Sequence, residues 1–134
     1  MELNRLLLDT SAYSAFKRGH DEVLALIRVA ERILLPPVVI GELLAGFEGG
    51  ARRDRNRDEL GAFCAAPRVA VAPQTWASAE RYAIIYHYLR LAGTPVPTHD
   101  LWIAATAMEH GAVVVTLDRH FSLMPQVVAA ILSQ

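Results

Sequence analysis

The 134-residue chain holds a single cysteine, Cys64, so it has neither an intramolecular disulfide nor a thiolate metal site, and a reducing, cytoplasmic setting is expected. Long apolar runs are missing too. The stretch over residues 33–40 is interrupted by Pro36-Pro37 and falls well short of the roughly 20 residues that span a bilayer. The N-terminus carries no basic segment ahead of an apolar core, because Leu6-Leu7-Leu8 breaks at Asp9, so neither a leader nor a membrane partner is expected. An excess of either charge is absent: 13 Lys and Arg against 14 Asp and Glu give a net charge of -1. Any nucleic-acid partner must therefore be held by a local patch or through metal ions. The histidines His20, His87, His99, His110 and His120 lack the H-E-x-x-H spacing of a zinc site. There is no internal repeat and no low-complexity linker.

What is present is apolar content of 53% and a mean hydropathy of +0.25, ample for one domain over residues 1–134 with both faces of a sheet covered. Leu6-Leu7-Leu8 reads as a buried strand feeding the capping residues Asp9, Thr10 and Ser11. Helices are predicted over residues 11–17 and 21–31, then a strand over 33–35 that Pro36-Pro37 ends while pre-setting a helix over 38–47. Further helices are expected over 51–65 and 75–91, with a strand over 68–71 between them. The helix over 75–91 has so wide an apolar surface that burial on two sides is expected. After the rigid loop at Pro95-Val96-Pro97, Thr98 is expected to cap a helix over 99–110 that stops at Gly111. Val113-Val114-Val115 is the strongest strand signal, and the run over 127–132 suits an edge strand or a terminal helix.

Strands alternating with helices argue for an α/β fold with a parallel sheet, whose carboxyl edge gathers whatever follows each strand. Asp9 and Asp118 follow two of the most apolar strands, while Glu42 and Asp100 fall early in helices that start on that edge. Carboxylates crowded within a few ångströms raise one another's pKa unless a cation neutralises them. Oxygen-only donors suit a hard cation such as Mg²⁺ or Mn²⁺, and phosphodiester hydrolysis is the chemistry that most often uses that arrangement.

Four motifs carry a resemblance: Leu7-Leu8-Asp9-Thr10-Ser11, Val39-Ile40-Gly41-Glu42-Leu43, His99-Asp100-Leu101-Trp102-Ile103-Ala104-Ala105, and Thr116-Leu117-Asp118-Arg119-His120-Phe121. In this order, over nearly the whole chain, they resemble PIN-domain ribonucleases, and in size and spacing they are similar to VapC-type toxins of toxin-antitoxin pairs. The resemblance implies a PIN-like three-layer α/β/α sandwich with a central parallel sheet of about four or five strands. It implies Asp9, Glu42, Asp100 and Asp118 as catalytic residues binding Mg²⁺ or Mn²⁺, and Thr10, Ser11 and Thr116 as supporting hydroxyls. It also implies RNA as substrate, a cognate antitoxin as inhibitor and a homodimer. Two positions depart from the pattern: His120 stands where many relatives carry a further acid, and Ser11 where many carry Asn.

Plainer roles compete at each position. Asp9 suits a helix N-cap, Glu42 and Asp100 the positive end of a helix, and Asp118 a turn after a strand. His99, Arg119 and His120 flank the acids and are candidates for contact with RNA phosphate. The arginines from Arg52 to Arg57 are offset by Asp54, Asp58 and Glu59 and read as a solvated helix face, and Tyr82, Tyr86 and Tyr88 as core or a subunit interface. Two other functions fit parts of the pattern: a phosphoryl-transfer domain with Asp9 as nucleophile, and a PIN-like binding module without activity. Ser11 in place of a second Asp, and no suitably placed Lys, weigh against the first. Retention of all four acids weighs against the second.

Overall fold

Leu6, Leu7 and Leu8 are each fully buried, although successive residues of a strand face opposite sides, so the sheet they belong to is covered on both faces. A computed structural model of the chain describes residues 4–134, and the first three residues, where the reading of a leaderless N-terminus begins, lie outside the described residues. The strands are β1 (Arg5–Leu8), β2 (Arg32–Leu35), β3 (Val69–Val71), β4 (Val113–Thr116) and β5 (Ala129–Ile131). They form one parallel sheet of order β3-β2-β1-β4-β5. Around it lie α1 (Thr10–Lys17), α2 (Asp21–Val29), α3 (Pro37–Glu48), α4 (Arg53–Ala65), α5 (Trp76–Ala92) and α6 (Thr98–His110). The arrangement is the expected PIN-like α/β/α sandwich, with five strands.

The strand order places the site. Chain growth runs outward from β1 through β2 to β3, then returns to lay β4 on the other side of β1, with Leu8 in register with Val115. That reversal is a topological switch point, where the loops leaving two adjacent strands part and open a crevice at the carboxyl edge. Small residues on α6 let it pack close to the sheet: Ala104, Ala105 and Ala107 are fully buried beside Leu101 and Ile103. Gly111, at φ +61°, ends α6 in the left-handed conformation and turns the chain into β4. Tyr13 and Phe16 of α1 pack on Phe63 of α4, with ring centroids 5.4 and 5.3 Å away. No helix of the described residues is long and apolar enough to cross a membrane.

Two expectations change and one choice between alternatives is settled. Pro97, not Thr98, occupies the N-cap of α6 and has no side chain to cap with, so Thr98 is the first helical residue. The run near the C-terminus is an edge strand, β5, because its backbone pairs with β4. The helix α5 is buried on one side only within the chain: Ile85 and Leu89 are inside, but Trp76 is 83% exposed, Leu91 76% and Ile84 58%. Its inner side joins α6 through a stack of Tyr82 on Trp102 at 4.3 Å, so Tyr82 serves packing and Tyr86 extends the stack outward.

Candidate active site

Asp9 leaves β1 with extended backbone and caps α1, its Oδ1 accepting from Ala12 N at 2.8 Å. The cap reading holds, and the same residue lines the acid cleft. Ser11 Oγ donates to the same Oδ1 at 2.7 Å, and Thr116 Oγ1, at the end of β4, donates to Oδ2 at 2.5 Å. Each hydroxyl also accepts a backbone N–H: Leu117 N bonds Ser11 Oγ at 3.0 Å, and Asp118 N bonds Thr116 Oγ1 at 2.8 Å. A hydroxyl has one proton to give, so both protons are directed at Asp9. The β4 exit loop is thereby tied to the β1 exit through two hydroxyls.

The other acids face the same cleft. Glu42 projects from α3, and Thr10 Oγ1 donates to its Oε1 at 2.6 Å. Asp100, in the first turn of α6, is 3% exposed. Asp118 opens a 3₁₀ turn over Arg119–Leu123, its Oδ1 accepting from His120 N at 2.9 Å. Asp9, Glu42, Asp100 and Asp118 together line a cleft of about 270 Å³ with Thr10, Ser11, Ser14, His99 and Ile103.

Two imidazoles bridge the acids. His99 Nε2 lies 3.3 Å from Asp100 Oδ1 and 3.4 Å from Glu42 Oε2. His120 Nδ1 lies 3.3 Å from Asp100 Oδ2 and 3.1 Å from Asp118 Oδ1. Arg119 is exposed, and its backbone carbonyl accepts from Ser122 Oγ at 2.7 Å. Ser14 was not singled out in the sequence, although its position, four residues after Thr10 and three after Ser11, sets it on the same face of α1.

The electrostatics favour a bound cation. Burial pushes the Asp9 carboxyl above its ordinary range, with the charge of Asp118 adding to it, although the bonds from Thr116, Ser11 and Ala12 N pull it back in part. Burial likewise raises Asp100 to about 6, where His99 lowers it and Asp118 raises it. Crowded, desolvated carboxylates of this kind are costly as bare charge, and a donor set of carboxylate oxygens fits a hard divalent ion. Asp9 Oδ1 takes two donors and Oδ2 one, which leaves a lone pair of Oδ2 for a cation.

The arginine-rich helix is only partly a solvated face. Arg53 pairs with Glu48 at 3.1 Å and Asp54 at 2.8 Å, and Arg55 with Glu59 at 3.3 Å. Arg52 and Arg55, however, line a groove of about 420 Å³ with Lys17 and Arg18, and Ser14 borders both this groove and the acid cleft.

Two named ribonucleases and a solved toxin-antitoxin structure are similar to this chain. Ribonuclease VapC4 of Mycobacterium tuberculosis is 33% identical over 90 residues, covering 67% of this chain and 69% of that protein. Ribonuclease VapC5 of the same organism is 30% identical over 120 residues, covering 88% and 86%. The crystal structure of VapBC-5 from Mycobacterium tuberculosis, a member of the VapBC family of toxin-antitoxin systems, superposes with a TM-score of 0.71 at 26% identity, covering 98% of this chain and 99% of that one. With a PIN domain profile matched over residues 6–126, the chain belongs to the PIN domain family.

Proposed function

We propose that the protein is a Mg²⁺- or Mn²⁺-dependent endoribonuclease, the toxin of a toxin-antitoxin pair, acting in the cytoplasm. The observation that carries this reading is the convergence of Asp9, Glu42, Asp100 and Asp118, from four separate elements, on one cleft at the switch point. The names of the ribonuclease relatives and of the toxin-antitoxin complex support the substrate class and the antitoxin partner.

In this reading the four carboxylates hold the divalent ion, which when bound supplies the charge that lowers the pKa of water and offsets charge on the phosphate. No side-chain nucleophile is needed. Ser11 and Thr116 hold Asp9 in one orientation, and Thr10 does the same for Glu42. Lys17, Arg18, Arg52 and Arg55 put cationic charge in the adjoining groove, which favours approach of a polyanion to an otherwise acidic cleft in a chain of net charge -1. The exposed residues Ile84, Tyr88 and Leu91, on one stripe of α5 with Trp76, are the surface proposed for the homodimer.

The test is cleavage of RNA by the purified chain freed of antitoxin. Cleavage in Mg²⁺ or Mn²⁺, its arrest by EDTA and its loss in Asp9→Asn and Asp100→Asn are expected. Full activity in both variants would overturn the reading. Mapping cut RNA ends after induction of the wild type and of Asp9→Asn identifies the substrate.

A further inference from the structure

We propose that His120 is itself a ligand of the divalent ion, through Nδ1, and that this gives the site a preference for Mn²⁺ over Mg²⁺. The inference rests on the metal-dependent reading above and deepens it. Among the described residues, Asp100, Asp118 and His120 each offer a donor atom within 4.8 Å of the others, a group that includes His120 and does not include Asp9, Glu42 or His99.

The spacing is that of adjacent ligands. Two donors at right angles on an octahedral ion, with bonds of about 2.1 Å, stand about 3 Å apart. His120 Nδ1 stands 3.1 Å from Asp118 Oδ1 and 3.3 Å from Asp100 Oδ2. The local backbone sets the placement: His120 N donates to Asp118 Oδ1 at 2.9 Å at the start of the 3₁₀ turn, which ties the His120 backbone to the Asp118 carboxylate. The ring is 46% exposed on its side chain, which leaves the ion's other positions open to water and substrate.

Chemistry then sets the preference. Mg²⁺ is hard, holds oxygen ligands and dehydrates reluctantly, whereas an imidazole nitrogen suits first-row transition ions. An acid at position 120 would leave the site all-oxygen, while His120 makes it a mixed nitrogen–oxygen site. The contrasting role for the same ring is an imidazolium that offsets the acids only while the ion is away. An ion would then displace it, and no metal–nitrogen bond would form.

The experiment uses the full chain, freed of metal and loaded with Mn²⁺, and reads nitrogen coupling to Mn²⁺ by electron spin echo spectroscopy, with calorimetric titration of Mn²⁺ and Mg²⁺ alongside. Imidazole ¹⁴N coupling is expected in the wild type and in His99→Gln, and its loss in His120→Gln. Calorimetry should show His120→Gln weakening Mn²⁺ by about tenfold or more, the lower end of what even an outer-shell partner's loss costs a metal site. Mg²⁺ affinity should move less, and His120→Asp should shift the preference back toward Mg²⁺. Circular dichroism checks that each variant is folded. Bound Mn²⁺ without nitrogen coupling, or coupling that persists in His120→Gln, overturns the proposal while leaving metal dependence standing. Failure of Mn²⁺ to bind while Mg²⁺ does overturns the proposal alone, and failure of both ions to bind overturns the metal-dependent reading as well.

Discussion

Thr116 donates its hydroxyl proton to Asp9 Oδ2 at 2.5 Å, joining the ends of β4 and β1 across 107 positions of sequence. Thr116 Oγ1 also accepts from Asp118 N at 2.8 Å, so one buried hydroxyl bonds the carboxylate of Asp9 and the backbone of Asp118.

Thr116→Val keeps the shape and removes both bonds, leaving a buried carboxylate oxygen and a backbone N–H without their partner. An unsatisfied buried group costs about 1–3 kcal/mol. The urea midpoint should fall by that equivalent with an unchanged slope, and RNA cleavage should fall with it. Thr116→Ser should recover most of both, since it retains the hydroxyl.

Asp100 makes the metal-free protein less stable as pH rises. Its folded pKa, about 6, lies above the ordinary 3.8, so between these values the folded state retains a proton that the unfolded state has released. Stability then falls with increasing pH across that window, by up to about 1.4 kcal/mol per pH unit, and levels off above it. Asp9 is raised as well and acts in the same direction. Urea unfolding in EDTA at pH 4.5 and pH 7 should show the decline, and Asp100→Asn should flatten it. Unchanged slopes in the variant would refute this assignment.

Thr10 is a positioning residue for Glu42, through the 2.6 Å bond to Oε1. Thr10→Val should lower kcat/KM for RNA by about tenfold, within the range seen when a ligand loses its outer partner, and should weaken Mn²⁺ binding in parallel. Thr10→Ser should restore both. Loss of activity with unaltered Mn²⁺ affinity would place Thr10 elsewhere in the reaction.

The exposed stripe on α5 predicts self-association. Ile84→Asp combined with Leu91→Glu should convert a dimer to a monomer in sedimentation or light scattering. Because both side chains are exposed, thermal stability of the monomer unit should change little. A wild type that is monomeric at high concentration would reject this surface as the interface.

Much of the architecture is local and therefore legible in the chain. Buried strands announce themselves as apolar runs such as Leu6-Leu7-Leu8 and Val113-Val114-Val115, and Gly111 and Pro36-Pro37 mark where helices stop and start, so the predicted boundaries fall within two residues of those observed. The four acids are likewise picked out by pattern, because Asp9 and Asp118 follow strands and Glu42 and Asp100 lie early in helices. Thr98 misled because its neighbour Pro97 already supplies the helix entry, a choice between adjacent residues that pattern alone does not make.

Sequence by itself determined which residues would be available at the carboxyl edge: Asp9, Glu42, Asp100 and Asp118, with Thr10, Ser11 and Thr116 beside them. Only the tertiary structure decided that β4 lies next to β1, which brings Thr116 to Asp9, lets Ser14 border two clefts and turns His120 Nδ1 toward Asp100 and Asp118. The physical reason is that strand order and hydrogen-bond partnership are set by packing between segments far apart in the chain. Local periodicity carries the burial of each segment but not its neighbour in the sheet.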